Sequence, residues 1–482
     1  MRRLAAVLLL ALPAAAGDYV VLSGVDEKDP YYPAATAIAR FHKGADIVRF
    51  DPEHPETVLA RLRELKATQV AIVVRPEQID INSVRRFLKT AAQVDEDPLV
   101  DFDFGYITGA TAEEAVRFVE NIVRASKQER PRRVGQAKVQ GGKSPCSASD
   151  GEYAAGSLKF PSRVLVFNPP DGEQGRDQKF IDGNLASLAG CGAIMMGGHG
   201  MPWEIGSGPR AEDIAKVNLF PAVVYNYACH TGVALRWHDW KYDKGEYVDH
   251  LATIGAEKSF ALSVIHAGAT GYVAYVNPRP AGPELSIDFE KMLAGATLGE
   301  SRRQDYAKVV LGYLGFHEKA IAAGDVEEGH RKAAKDVDPV RDMMLDDATG
   351  GILYGDPAMR PFAPAANVLP QTVEAKREGA AIHVTFRVAA MGAGVWCWDP
   401  FVKGEKTMAM KVCDRIELPA GFKVESVTVD GATRGKDTLT TRPVLFAEET
   451  DGGKRFLHVK VNFTYDEKQF GDIEVRVTVK GK

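Results

Sequence analysis

Two apolar runs carry the residues best suited to chemistry: Ala193–Gly200, AIMMGGHG, and Ala222–Gly232, AVVYNYACHTG. Each has strand length and ends in a reactive side chain close to glycine, His199 in the first and Cys229 in the second. A thiol and an imidazole are the minimum pair for nucleophilic catalysis, one attacking and the other taking the proton. A cysteine thiol titrates at about 8.5, and a nearby histidine either lowers that value or accepts the proton. Gly197, Gly198 and Gly200 permit tight backbone turns around the histidine. The backbone amides of Gly200 and Cys229 are then candidates to hold a developing oxyanion. If the two strand tips meet, the chemistry is that of a cysteine hydrolase.

Plainer readings of the same residues compete. A lone cysteine at a strand end is most often a small buried hydrophobe, and His-Gly is a common dipeptide. His230, directly after Cys229, is a second candidate for the base. In the stretch Met201–Pro209, Trp203 and Glu204 either line a substrate cleft or cap a helix, and the second reading is preferred. His199, His230, His238, His250 and His266 lie within about seventy residues of one another. They could hold zinc with a nearby carboxylate, although none has the HExxH spacing.

Strand tips need a sheet beneath them, and strand–helix alternation supplies one. Tyr19–Ser23, Asp46–Phe50 and Gln69–Val74 read as strands, and Ala34–Lys43, Glu56–Leu65 and Ile81–Gln93 as helices. Thr111–Ala125 is an amphipathic helix with Thr111 as N-cap and Glu114 in the capping-box position. Residues 126–160, rich in Lys, Arg, Gly and Ser, read as a linker or exposed loop. A second series follows, with strands at Ser162–Phe167, Gly192–Gly197, Ala222–Ala228 and Gly271–Val276. Its helices are Lys179–Leu188, Ser259–Ala267 and Ala307–Ala323, and Gly350–Phe362 closes the unit.

This pattern predicts an α/β fold of mostly parallel sheets flanked by helices, in two subdomains. In such sheets ligands bind beyond the carboxyl ends of the strands, where His199 and Cys229 fall. From Thr372 onward, alternating runs such as AIHVTFRV and IEVRVTV, separated by Gly and Asp turns, predict an all-β sandwich. The expected division is a signal at 1–16, α/β subdomains at 17–130 and 131–365, and the sandwich at 366–482.

The chain has 482 residues, 45% hydrophobic and 26% charged, with a net charge of −5. No basic block appears, so nucleic acid is not an expected partner. Arg2-Arg3, the apolar Leu4–Leu12 and Ala14-Ala15-Ala16 read as a secretory signal cut near Gly17. That apolar stretch is shorter than the roughly 20 residues that span a bilayer, and no later segment reads as a span. A secreted, periplasmic or cell-surface protein without stable membrane insertion is expected. Its cysteines, Cys146, Cys191, Cys229, Cys397 and Cys413, are odd in number, and an oxidising compartment leaves one over. Pairing Cys397 with Cys413 and Cys146 with Cys191 would leave Cys229 as the reactive thiol.

An apolar run ending in His-Gly, then one ending in Ala-Cys, resembles the arrangement of the caspase-like superfamily, above all its gingipain-type cysteine peptidases. Asp101–Ala125 (DFDFGYITGATAEEAVRFVENIVRA) is similar to the segment that closes that family's first subdomain. Ser259–Val276 (SFALSVIHAGATGYVAYV) resembles its post-cysteine helix and Gly-Ala turn. Leu353–Pro361 (LYGDPAMRP) resembles its terminal Leu-x-Gly-Asp-Pro-Ala-x-Arg segment. The resemblance spans roughly residues 18–365, and the tail fits by architecture, as an immunoglobulin-like domain.

The resemblance implies an endopeptidase acting on protein or peptide, with Cys229 as nucleophile, His199 as general base, and Gly200 and Cys229 as oxyanion donors. No cofactor is required, though a structural calcium ion would suit the Asp-rich segment Asp95–Asp103. Tyr227 stands where caspases carry Gln, and His230 is an unusual neighbour for the cysteine. For a basic P1 residue the acidic candidates are Asp150, Glu204, Asp239 and Asp249. The alternative is a caspase-like binding module without turnover.

Overall fold

The computed structural model describes residues 19–482 apart from 96–98, 141–144, 156, 169–175, 244–245, 278–284, 304–305, 308–349, 366–370, 389–407, 442–443, 452 and 466–471. The chain first lays down parallel strands β1 (Tyr19–Ser23), β2 (Asp46–Arg49), β3 (Gln69–Val73) and β4 (Asp103–Ile107). Helices α1 (Tyr32–Phe41), α2 (Leu59–Leu65), α3 (Ile81–Ala91) and α4 (Ala112–Ser126) alternate with or follow them. The second series has β5 (Val134–Val139), β6 (Ser147–Ala155), β7 (Leu158–Phe167) and β8 (Ala193–Gly197). A small hairpin of β9 (Gly200–Met201) and β10 (Glu204–Ile205) precedes β11 (Val223–Asn226). After the hairpin of β12 (Arg236–Asp243) and β13 (Glu246–Thr253) come β14 (Gly271–Tyr275) and β15 (Gly351–Gly355). Helices α5 (Gln178–Asn184), α6 (Ala211–Ile214), α7 (Phe260–His266) and α8 (Leu285–Leu293) lie between these strands in sequence.

Among the described residues these strands form an eleven-stranded sheet in the order β2-β1-β3-β4-β15-β14-β11-β8-β5-β7-β6. β1, β14 and β15 are buried along their whole length, which is why they read as apolar runs rather than alternating ones; β4, DFGYI, is buried as fully but carries Asp103 and Gly105. β15 runs antiparallel to β14 and parallel to β4, so it joins two parallel halves of opposite direction. The carboxyl ends of β8, β11 and β14 therefore share an edge with the amino end of β4. The fold is the expected mixture of a large, mostly parallel sheet with flanking helices and separate antiparallel sheets.

Most expected elements are present within a few residues. Thr111 caps α4 by accepting from the Glu114 amide at 3.3 Å. The Glu114 carboxylate reaches one residue further out than a capping box, to the Ala110 amide at 3.2 Å. The segment 126–160 requires correction. It holds β5, β6 and the start of β7 rather than a linker, and β5 lies inside the sheet between β8 and β7. Its VGQAKV sequence looks unexceptional because neighbouring strands, not its own hydrophobicity, bury it. β4 and the β12–β13 hairpin were likewise not anticipated. The helix expected at Ala307–Ala323 lies outside the described residues beyond Ala307.

The LYGDPAMRP segment closes the sheet. Asp356 accepts from the Tyr19 hydroxyl at 2.8 Å and pairs with His42 Nε2 at 2.9 Å, and the Tyr19 and His42 rings stack at 3.6 Å. One carboxylate thus ties β15 to both β1 and the end of α1.

The tail forms β16 (Gln371–Glu378), β17 (Ala381–Val388), β18 (Met408–Leu418), β19 (Val424–Arg434), β20 (Asp437–Leu439), β21 (Leu445–Asp451), β22 (Lys454–Tyr465) and β23 (Ile473–Gly481). They build two antiparallel sheets, β16-β17-β23-β19-β20 and β18-β22-β21, around a core that includes Phe386, Val461 and Val477. A small cluster of Leu99, Ala307, Cys413 and Ala447 packs this part against the large sheet's unit. Cys146 and Cys191 are not joined: the Cys146 thiol lies 3.4 Å from the Asn168 amide, and Cys191 is buried in the main core. Cys397 lies outside the described residues. Among the described residues no helix is long and apolar enough to cross a membrane.

Candidate active site

β8 and β11 are parallel neighbours, with Met196 opposite Asn226, and the Tyr227 amide still donates to the Met196 carbonyl at 3.0 Å. The two strands therefore leave the sheet side by side at one edge. His199 is the second residue past β8 and is exposed; Cys229 is the third past β11 and is half-buried. A Cβ placed on Gly200 would lie 2.3 Å from the Cys229 carbonyl oxygen and 2.8 Å from the Cys229 amide nitrogen. No side chain fits that gap. Glycine is what lets the His199–Gly200 backbone lie directly on the cysteine turn.

The turn that carries Cys229 is held from several sides. The Ala228 amide donates to Asn226 Oδ1 at 3.1 Å, and Thr231 Oγ1 donates to the Ala228 carbonyl at 2.8 Å. The His230 amide donates to the Asn277 carbonyl at 3.1 Å. From neighbouring strands, Tyr272 donates to the Thr231 carbonyl at 2.9 Å and Tyr354 to the Gly232 carbonyl at 2.7 Å. A Cβ on Gly232 would meet the Tyr275 backbone at 2.9 Å, so this glycine serves a close approach to β14. The residue that adopts the left-handed conformation of the turn is His230, at φ +58°. Asn226, Thr231, Tyr272 and Tyr354 were missed from the sequence. The one available signal was a polar residue, Asn226, set in an apolar strand just before the turn, since buried polar groups require partners.

His230 is buried, and its ring meets Trp237 edge-on at 5.4 Å. Trp203 also packs edge-on against Trp237, at 5.7 Å. The three rings form one aromatic flank beside the cysteine turn, so Trp203 is half-buried in packing. Glu204 pairs with Arg210 Nε at 3.1 Å, and Arg210 precedes α6. This ion pair braces the residue ahead of a helix without capping the helix.

The remaining candidates are dispersed. His266, at the end of α7, holds Nδ1 2.5 Å from Glu114 Oε1 on α4. Among the described residues no three His, Cys, Asp or Glu side chains are grouped to hold a metal ion, and the side chains of His238 and His250 lie outside those residues. In the Asp-rich segment, Asp101 Oδ2 accepts from the Val94 amide at 3.1 Å and Asp103 pairs with Arg303 at 2.8 Å, so both are engaged within the protein. Asp150 pairs with Arg133 at 2.8 Å on an exposed strand. The side chains of Asp239 and Asp249 lie outside the described residues.

No protein-family profile matches this chain, and no curated protein matches it. Among solved structures it is similar to the complex of Porphyromonas gingivalis RgpB pro- and mature domains, at 10% identity and a TM-score of 0.42, with 94% of this chain and 99% of that chain covered. A carbohydrate transporter from Acidothermus cellulolyticus 11B, in complex with myo-inositol, aligns at 9% identity and a TM-score of 0.13, over 45% of this chain and 75% of that one. Similarity at these levels carries no argument about chemistry, which stands on the residues themselves.

Proposed function

We propose that this chain is a caspase-like cysteine endopeptidase, exported after loss of residues 1–16, that cuts protein or peptide substrates with Cys229 and His199. The observation that carries the reading is the contact of the two strand tips. Gly200 sits so close to the Cys229 turn that no side chain fits between them. The histidine and the cysteine thus leave one sheet edge together.

In this mechanism the Cys229 thiol gives its proton to His199, and Sγ bonds to the substrate carbonyl carbon. The carbonyl π electrons move to oxygen, which the amides of Gly200 and Cys229 stabilise. As the tetrahedral species collapses, the C–N bond breaks and His199 protonates the leaving amine. Water, deprotonated by the same imidazole, then attacks the thioester and releases the acid and the thiol. The cycle uses no cofactor. The C-terminal sandwich, read as immunoglobulin-like, packs against this unit or mediates attachment.

The test is labelling with an irreversible thiol-directed peptide inhibitor, followed by mapping of the adduct. An adduct on Cys229 that is lost in His199→Ala supports the pair. Activity removed by a chelator but kept in Cys229→Ala would instead indicate a metal hydrolase. A folded protein with neither labelling nor turnover would indicate a binding module.

A further inference from the structure

We infer that Asn226 is a positioning residue for the nucleophile, acting through a closed ring of hydrogen bonds that clamps the Cys229 turn. The inference rests on the reading of Cys229 as the attacking thiol. Four links make the ring. Asn226 Oδ1 accepts from the Ala228 amide at 3.1 Å, and the Ala228 carbonyl accepts from Thr231 Oγ1 at 2.8 Å. The Thr231 carbonyl accepts from the Tyr272 hydroxyl at 2.9 Å, and the Tyr272 oxygen accepts from Asn226 Nδ2 at 3.1 Å. Cys229 lies within the stretch of backbone, Ala228 to Thr231, that the ring encloses.

Each of the four residues is wholly buried, so water cannot replace a missing link. The ring also has one direction. The side chain at 226 must accept from a backbone amide and donate to a phenol, and a carboxamide does both at once. A carboxylate could keep the Ala228 bond but not donate to Tyr272. The phenol would then turn its proton toward the carboxylate and release the Thr231 carbonyl. An apolar isostere would lose both bonds. Asn226 also ends β11, next to Met196 of β8, so the clamp takes its register from the strand pair that carries both reactive residues. The strand thereby aims the thiol, although Asn226 itself does not reach the reacting atoms in this mechanism.

The test compares the unaltered full chain with Asn226→Leu, Asn226→Asp and Tyr225→Phe. The last removes an equally buried bond one residue away, Tyr225 to Ser301 Oγ at 2.7 Å, outside the ring. Two rates are measured at Cys229: alkylation by iodoacetamide as a function of pH, and labelling by the peptide-directed inhibitor. Asn226→Leu should slow inhibitor labelling about 10- to 100-fold, as expected when a reacting group is misplaced by about 1 Å. Asn226→Asp should slow it too, because its side chain cannot donate to Tyr272. Tyr225→Phe should change neither rate. If Asn226→Leu is labelled and alkylated as fast as Tyr225→Phe, the clamp is only structural and the inference is overturned. Should Asn226→Leu fail to fold, Tyr272→Phe, which breaks two links of the ring without adding charge, is measured in its place, and rates equal to those of Tyr225→Phe overturn the inference. A chain that the peptide reagent never labels, yet whose iodoacetamide alkylation is slowed in Asn226→Leu and not in Tyr225→Phe, would overturn the peptidase reading and leave the positioning role standing.

Discussion

His199 and His230 are the two candidates for the base in the proposed reaction, and their surroundings differ. His199 sits exposed on the tip whose next residue touches the cysteine turn. His230 is buried, holds a left-handed backbone at φ +58°, and rests its ring on Trp237. That conformation costs a non-glycine residue on the order of 1 kcal/mol, and His is among the residues that adopt it most readily. His230 is therefore packed into the turn, whereas His199 is open to solvent. His199→Ala is expected to lower kcat/KM by about 10²- to 10⁴-fold, the usual worth of a general base. His230→Asn, which keeps a residue tolerant of that backbone, should lower it by less than about tenfold. Rates on a set of fluorogenic peptides check both, and the reverse order would make His230 the base. That His199 and Cys229 lie at neighbouring strand ends was legible, because both follow apolar runs beside small residues. The hydrogen bonds that support the cysteine turn were not, since Tyr272 and Tyr354 come from strands distant in sequence.

At the scale of elements, the site depends on how closely backbone passes backbone. Gly200→Ala would set a methyl 2.3 Å from the Cys229 carbonyl oxygen and force the two tips apart. The expected result is a folded chain, by circular dichroism, whose Cys229 no longer takes the peptide inhibitor. Gly232→Ala would set a methyl 2.9 Å from both the Tyr275 backbone and Ile352 Cγ2, within the core. Overpacking of this kind costs about 1–3 kcal/mol. Urea unfolding should show it as a lower midpoint, and an unchanged midpoint would mean that β14 gives way freely. β11, β14 and α7 were legible from apolar runs; that Ser259 caps α7, its hydroxyl accepting from the Leu262 amide, came only from the structure. β5 escaped notice because a strand inside a sheet is buried by its neighbours, and VGQAKV carries no strong pattern of its own.

Across the whole molecule, buried charge joins the two cores. Arg303 donates to Asp103 at 2.8 Å, at the start of β4, and to Asp451 at 2.9 Å, at the end of β21. Arg415 and His458 extend the cluster by pairing with Glu449 at 2.8 Å and 2.7 Å. Burial raises the Asp103 carboxyl above its ordinary value, and the Arg303 guanidinium offsets part of that rise. Arg303→Met should therefore destabilise by about 3–5 kcal/mol, the effect of stranding a buried carboxylate. Limited proteolysis should then release the sandwich as a separate fragment, and an unchanged digestion pattern would show that the apolar contact alone holds it. A second prediction concerns Glu290 on α8, which receives a 3.4 Å hydrogen bond from Tyr153. Burial pushes its carboxyl from the ordinary 4.5 up to about 8. The unfolded chain ionises this group near 4.5 while the folded chain keeps the proton, so unfolding releases a proton between those values. Stability from this group is complete below pH 4.5 and falls by about 1.4 kcal/mol per pH unit up to pH 8. Glu290→Gln should flatten that slope in urea titrations run at several pH values; an identical slope in the variant would refute the buried, neutral carboxyl.

The local patterns in this chain determined its alternating strands and helices, the β-rich tail, and the pair of reactive residues at strand ends. Those features depend on the period of apolar residues and on turn chemistry within a few positions, which a sequence displays directly. Tertiary structure decided the rest: that β5 belongs inside the sheet, that two parallel halves meet head to tail at β15, and that Gly200 lies on Cys229. It also decided that Asn226 is ringed by Ala228, Thr231 and Tyr272, and that Arg303 bridges to the sandwich. These facts depend on the pairing of segments tens to hundreds of residues apart, where register and close approach are set by packing rather than by neighbours in the chain.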